Sequence, residues 1–208
     1  QNSQVRNHVI SNFAAPLDIP MILSGNYGEI RSTHFHAGID IKTQQVEGKN
    51  VLAADSGYIF RIAVRTDGYG HALYMRHSSG RVSVYGHLSR FEPAIEKYTK
   101  EQQYHNKSFE VDLYPEAGLF VFGKGSFLGY TGNTGSSGGP HLHFEIRDNA
   151  ASVPLNPLNY GFAIQDKRNP LISWLAIYPL DPAGTVNGMN QKLVLPVSSK
   201  NNKYFVSA

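Results

Sequence analysis

Two short stretches, a hundred residues apart, hold the side chains able to do chemistry. The first is His141-Leu142-His143-Phe144-Glu145-Ile146-Arg147, a strict alternation of polar and apolar residues. That period belongs to a strand with one buried face. Leu142, Phe144 and Ile146 are expected in a core, with His141, His143, Glu145 and Arg147 on the other face. At about 3.3 Å of rise per residue, the two histidines sit roughly 6.6 Å apart along the backbone, so their rings can converge on one site. The loop before them, Gly135-Ser136-Ser137-Gly138-Gly139-Pro140, is built of small residues and lets a substrate come close to the backbone.

The second stretch is His34-Phe35-His36-Ala37-Gly38-Ile39-Asp40-Ile41. Here His36, Gly38 and Asp40 alternate with apolar residues, which predicts a strand with an imidazole and a carboxylate on one face. Two histidines and one aspartate from two strands make three nitrogen or oxygen ligands. Three protein ligands with a position left to water is the pattern of catalytic zinc, whereas structural zinc sites are closed by four ligands, often cysteine. The chain has no cysteine. A metal bound here would be a working one. His87, in Tyr85-Gly86-His87-Leu88, is a third candidate for the site.

The elements that must position these residues read as strands with short turns. Met21–Leu23, Val51–Ala54, Gly57–Val64 and Phe127–Tyr130 are expected strands, and Ala72–Arg76 with Arg81–Tyr85 form a hairpin across His77-Ser78-Ser79-Gly80. Phe109 to Phe122 is expected to return to strand-like alternation. Glu92 to Asn106 lacks glycine, carries Pro93 near its start and is rich in Glu, Lys and Gln, which predicts the one helix, inserted between strands. The fold class is all-β (β-rich): an antiparallel sheet core with one inserted helix around 92–106 and a short β tail. Residues 1–15 read as a polar lead-in, 16–165 as the main domain with an insertion at 91–122, and 166–208 as a β-rich extension or the start of a second domain.

Bulk composition excludes several classes. Nineteen Lys and Arg against sixteen Asp and Glu leave +3, too small an excess for a nucleic-acid partner. No stretch approaches the roughly 18 apolar residues of a membrane helix. No basic-then-apolar leader opens the chain, and Gln1 fits a position behind a removed one.

The motifs "HFHAGIDI", "VYGHLS" with His87, and "GNTGSSGGPHLHFEIR" followed by "NPL" resemble the lysostaphin-like, LytM-type zinc endopeptidases of peptidase family M23. The likeness runs from about Pro16 to Leu158. It implies one zinc per chain held by His36, Asp40 and His143, with His141 and His87 as an unligated catalytic pair. It also implies a groove walled by loops, a bacterial, extracytoplasmic setting (periplasm or cell envelope), and peptidoglycan stem peptides or cross-bridges as substrate. The alternative is a non-catalytic peptidoglycan-binding or activator module of the same fold, with the groove plugged by the insertion or the tail. A sugar-binding β module would hold no metal. Glu145 and Arg147 are read as flanking strand residues, Arg31 as an exposed strand-end residue, and His8 and His105 as solvated. His34, His71 and His77 are given no role, and Tyr27, Tyr69 and Tyr130 are read equally well as groove lining or as turn packing.

Overall fold

The computed structural model describes residues 13–31, 33–150, 152–164, 171–201 and 203–206. The expectations for His8 and most of the lead-in lie outside the described residues. The chain divides into two compact units, Gln1–Gln165 and Asp166–Ala208.

The first unit is built of antiparallel strands in two sheets. In chain order its elements are β1 (Leu23–Gly25), β2 (Ile39–Lys42), β3 (Asn50–Leu52), β4 (Gly57–Val64), β5 (His71–His77), β6 (Arg81–Gly86) and β7 (Leu88–Phe91). Helix α1 (Pro93–Asn106) follows, then β8 (Val111–Leu113), β9 (Val121–Phe122), β10 (Phe127–Thr131), β11 (His141–Asp148), β12 (Pro154–Leu155) and a single 3-10 turn at Pro157–Tyr160. Among the described residues the large sheet runs β1-β2-β11-β6-β5-β4-β8, with β12 on β11 and β9 on β4, and the small one runs β3-β10-β7.

Alternation decides which side of β11 is dry. Leu142, Phe144 and Ile146 are fully buried and join one core with Ile39, Ile41, Tyr85 and Leu128. That core draws on both sheets and reaches back to Phe13, at the end of the polar lead-in. Burial of each such side chain contributes roughly 1.5–3 kcal/mol. Helix α1 starts where expected: the Glu92 carboxylate accepts from the Ala94 and Ile95 amides, Pro93 opens the first turn, and Lys107 closes the helix in a left-handed conformation.

Two strand expectations shift. The segment at His34–Ile41 is regular only from Ile39, so His36 lies on the approach to β2 and not within it. Between Phe109 and Phe122 only Val111–Leu113 and Val121–Phe122 are strands, because the chain there must turn twice around Pro115 and Gly118.

The second unit is a three-stranded antiparallel sheet of β13 (Trp174–Ile177), β14 (Leu193–Lys200) and β15 (Lys203–Val206). Its large apolar side chains stay largely exposed, Trp174 at 63% and Leu180 fully. A sheet this small has too few layers to enclose a core of its own.

Candidate metal centre

Strand register builds the site. Antiparallel pairing of β11 with β2 sets His143 directly opposite Asp40, and pairing with β6 sets it opposite Gly86, the residue before His87. His36 comes in from the loop ahead of β2. Its amide donates to the Glu29 carbonyl and its own carbonyl accepts from Gly28, which anchors it to the turn after β1. Gly38 makes that approach possible. A Cβ there would run into the Phe144 carbonyl oxygen and lie 2.7 Å from Glu145 Cγ.

Three ligand atoms meet. His36 Nε2 and His143 Nδ1 are 3.0 Å apart, His143 Nδ1 and Asp40 Oδ1 3.0 Å, and His36 Nε2 and Asp40 Oδ1 3.1 Å. Among the described residues this is the group of His, Asp and Glu side chains gathered closely enough to hold a metal ion, and all three members are buried. A tetrahedral site with bonds of about 2.0–2.1 Å needs ligand atoms roughly 3.3–3.4 Å apart. The triangle fits a zinc-sized ion after opening by a few tenths of an ångström.

Tautomers complete the fit. His36 Nδ1 donates to the Asn26 carbonyl at 2.8 Å, which leaves Nε2 as a lone pair facing the triangle. His143 Nε2 lies 2.8 Å from Glu145 Oε1, so Nδ1 is the bare nitrogen there. His141 Nδ1 donates to the Gly139 carbonyl and His87 Nδ1 to the Thr134 carbonyl, each at 2.8 Å. All four imidazoles thus have one nitrogen tied outward and one free inward, the arrangement that fixes metal-binding histidines. His141 Nε2 stands 3.4 Å from Asp40 Oδ1, and its ring centroid is 4.6 Å from that of His87. The structure brings His36, Asp40, His87, His141 and His143 to one cavity of about 260 Å³, which His34, Arg31 and Tyr69 also line.

His87 carries backbone strain, with φ at +61° between β6 and β7. A non-glycine residue held in that region costs of order 1–3 kcal/mol and is concentrated at working sites.

Charge follows geometry. Burial works to raise the Asp40 carboxyl, but bonds from His141, His143 and His36 outweigh it and hold the group far below the usual carboxylate range. Burial pushes His87 down to about 4, against the opposing Thr134 carbonyl. Burial would depress His143 as well, yet Asp40 and Glu145 win and raise it. Glu145 itself is buried, which favours its neutral form, but His143 and Arg147 overcome this and bring it to about 2.

One expectation needs correction. Glu145 is not a flanking residue: it is wholly buried, bonded to His143, to Arg147 Nε at 2.5 Å and to the Tyr69 hydroxyl. Its place on the histidine face of β11 was the available signal. Arg31 is exposed as expected, and its guanidinium also sits 3.0 Å from Asp40 Oδ2 and 3.2 Å from Glu29. His77 is buried, with Nδ1 on the Ser56 carbonyl and Nε2 on the Ser83 hydroxyl. Tyr69 lies at the cavity and stacks on His143, with centroids 4.8 Å apart, whereas His105 is exposed as read.

Two imidazoles and a carboxylate thus meet on an antiparallel β-sheet scaffold. Residues 34–104 match the model of Peptidase family M23. The match spans His36, Asp40 and His87; His141 and His143 lie beyond it and are joined to the set by geometry. The chain is 33% identical over 130 residues to the DD-carboxypeptidase/endopeptidase Mpg of Neisseria meningitidis serogroup B, covering 62% of this chain and 24% of that one. It is 32% identical over 123 residues to an uncharacterized metalloprotease of Haemophilus influenzae, covering 59% and 20%. The chain therefore spans about a quarter or less of these relatives. The catalytic domain of the prophage-encoded M23 protein EnpA from Enterococcus faecalis shares the fold, with a TM-score of 0.51 at 20% identity over 74% of this chain and 100% of that one.

Proposed function

We propose that the chain is a zinc-dependent endopeptidase that hydrolyses peptide bonds in the stem peptides or cross-bridges of bacterial peptidoglycan, working outside the cytoplasm. The observation that carries this reading is the triangle of His36 Nε2, Asp40 Oδ1 and His143 Nδ1, with His141 and His87 beside it. The name of the Neisseria relative, a carboxypeptidase and endopeptidase, supports the class of reaction.

Zinc held by those three residues would supply a water of pKa near 7 and a Lewis acid for the scissile carbonyl. The chain's own residues do the rest. His141 and His87 each present an unprotonated Nε2, because their Nδ1 protons are committed to carbonyls. Such a nitrogen takes a proton from the attacking water and returns it to the leaving amine. The Asp40 carboxylate stays ionised under its three histidine bonds and offsets part of the metal's charge. Arg31 fixes the second Asp40 oxygen and borders the cavity where the peptide would lie.

Against the non-catalytic alternative stands the placement of α1. It lines other cavities, with Tyr130 and with Phe109, and adds no residue to the one that holds the histidines. The test joins metal analysis to release of new amines from purified cell-wall sacculi. One zinc per chain with cleavage is expected, and His141→Ala should keep the zinc while losing 10²–10⁴-fold in rate. Bound zinc without cleavage in the parent chain would favour the non-catalytic module.

A further inference from the structure

The face of β11 that carries His143 and Glu145 continues to Arg147, and beyond it opens a second cavity of about 220 Å³. It is lined by Phe60, Arg61, Tyr74, Arg76, Val82, Tyr114 and Arg147, together with Asp148, Asn149 and Ser152. We propose that this cavity is a binding site for the carboxylate end of a peptide, with the Arg76 guanidinium as the anchoring group.

Charge bookkeeping singles out Arg76. Arg61 is neutralised by Asp112, with bonds of 2.7 and 2.9 Å to its two oxygens. Arg147 is neutralised by Glu145 at 2.5 Å, and Asp148 by Arg81 at 3.3 Å. Among the described residues Arg76 has no carboxylate within ion-pair distance. Its Nη1 donates to the Tyr58 hydroxyl at a long 3.3 Å, and its guanidinium carbon stands 4.5 Å over the Phe60 ring. Its Nε–H is buried and has no acceptor. The guanidinium of this half-buried residue thus carries a charge that no acidic side chain opposes, and an arriving carboxylate would supply the missing partner.

One uncompensated positive charge matches one negative charge, which fits a carboxylate better than a doubly charged phosphate. Guanidinium and carboxylate also share the planar, two-pronged geometry that favours paired bonds. Phe60, Tyr74, Val82 and Tyr114 give the cavity an apolar part, with Arg61 over the rings of Tyr74 at 4.5 Å and Tyr114 at 5.8 Å, beside a polar part from Asp148, Asn149 and Ser152. The apolar part suits the apolar side chain of a terminal residue. At about 220 Å³ the space lies below the roughly 300–1,000 Å³ of sites that enclose a whole ligand, so it takes one end of a chain. The site stands whether or not the peptidase reading holds, since nothing in it uses the metal centre.

The test is nitrogen-15 NMR of arginine Nε–H resonances in the full chain, titrated with N-acetylalanine, its carboxamide and inorganic phosphate. None of the three contains a peptide bond for an endopeptidase to cut, so the result is independent of activity. The Arg76 Nε–H resonance should shift and saturate with the acid, and stay in place with the amide. Arg76→Met keeps a long side chain over Phe60 and removes an unpaired buried donor. It should fold with a melting temperature no lower than the parent's and weaken binding of the acid roughly tenfold or more, the loss of a hydrogen bond to a charged group. Arg76→Lys, with its charge kept, should retain part of the affinity. Equal shifts with acid and amide, no saturation, saturation by phosphate with the acid inert, or full binding by Arg76→Met would each overturn the assignment.

Discussion

Glu145 Oε1 lies 2.8 Å from His143 Nε2, in a position with no exposure to solvent. A carboxylate buried this deeply is stable only if paired, and here His143, Arg147 and Tyr69 surround it. It fixes which nitrogen of His143 faces Asp40 and His36, and so governs a metal it would never touch. Glu145→Gln keeps the shape and an accepting oxygen but loses the charge. Zinc affinity, measured by competition with a coloured chelator, should fall about 10–100-fold. Unchanged affinity would mean that His143 is oriented by packing alone.

Gly38 sits just ahead of β2, which pairs side by side with β11, and the Phe144 carbonyl and Glu145 Cγ occupy the space a Cβ would fill. Gly38→Ala must push the two strands apart. Denaturant unfolding should register a loss of about 1–3 kcal/mol, the usual penalty for overpacking. Because Asp40 and His143 face each other across the same two strands, zinc binding should weaken with it. A glycine remote from the site and without positive φ, such as Gly123 with only Ser126 Oγ near its Cβ position at 3.6 Å, should leave zinc affinity as it was when replaced by alanine.

His77 gives a dependence on pH remote from the metal centre. Its Nδ1 proton goes to the Ser56 carbonyl, and the Ser83 hydroxyl, 2.8 Å from Nε2, stands 3.0 Å from the Tyr85 hydroxyl. The Ala54 amide fills a lone pair of that tyrosine. A single direction satisfies every group in this buried row, with Tyr85 donating to Ser83 and Ser83 to a neutral His77. Burial accordingly lowers the His77 pKa from its ordinary 6.5. Below pH 6.5 the unfolded chain then takes up a proton that the folded chain refuses. Stability is therefore full above 6.5 and declines as pH falls toward the folded value. His77→Gln should flatten this slope between pH 6.5 and 5 in chemical denaturation, and an unaltered slope would assign the effect to other histidines.

Much of this architecture is legible in the residues alone, wherever a local rule acts without competition. The strand at Gly57–Val64 and the hairpin around His77–Gly80 follow from strand-forming residues and turn composition, and the start of α1 follows from Pro93. His36 is different. Its alternation with Gly38 and Asp40 reads as strand, but its backbone bonds go to the turn at Gly28 and Glu29, a tertiary choice that no local period encodes. The ion pair of the exposed Arg31 with Asp40, nine residues away, forms only after the turn folds and leaves no local signal. The carbonyls of Asn26, Thr134 and Gly139, which set three tautomers, belong to the backbone and leave no mark in residue types. Glu145 is the instructive miss. Its face was known from the alternation, and a carboxylate two residues from a metal-facing histidine on the same face is within reach of it.

Removal of metal provides the last prediction. With His36 and His143 lone pairs and the Asp40 carboxylate turned toward one another at 3.0–3.1 Å, the three groups repel unless a cation or a shared proton lies between them. A bound ion supplies that charge in the folded chain and is absent from the unfolded one, so it stabilises by mass action. At free zinc a hundredfold above the dissociation constant the gain is about 2.7 kcal/mol. For a unit of this size that corresponds to roughly 5–10 °C in melting temperature. Dialysis against a chelator should lower the melting point by that much, and zinc should restore it, whereas magnesium should not, since it prefers six oxygen ligands. In Asp40→Asn the restoring effect of zinc should shrink or vanish, while the parent β-sheet circular dichroism persists. A melting point indifferent to zinc in the parent chain would mean that the triangle holds no metal, and the hydrolytic reading would fall with it.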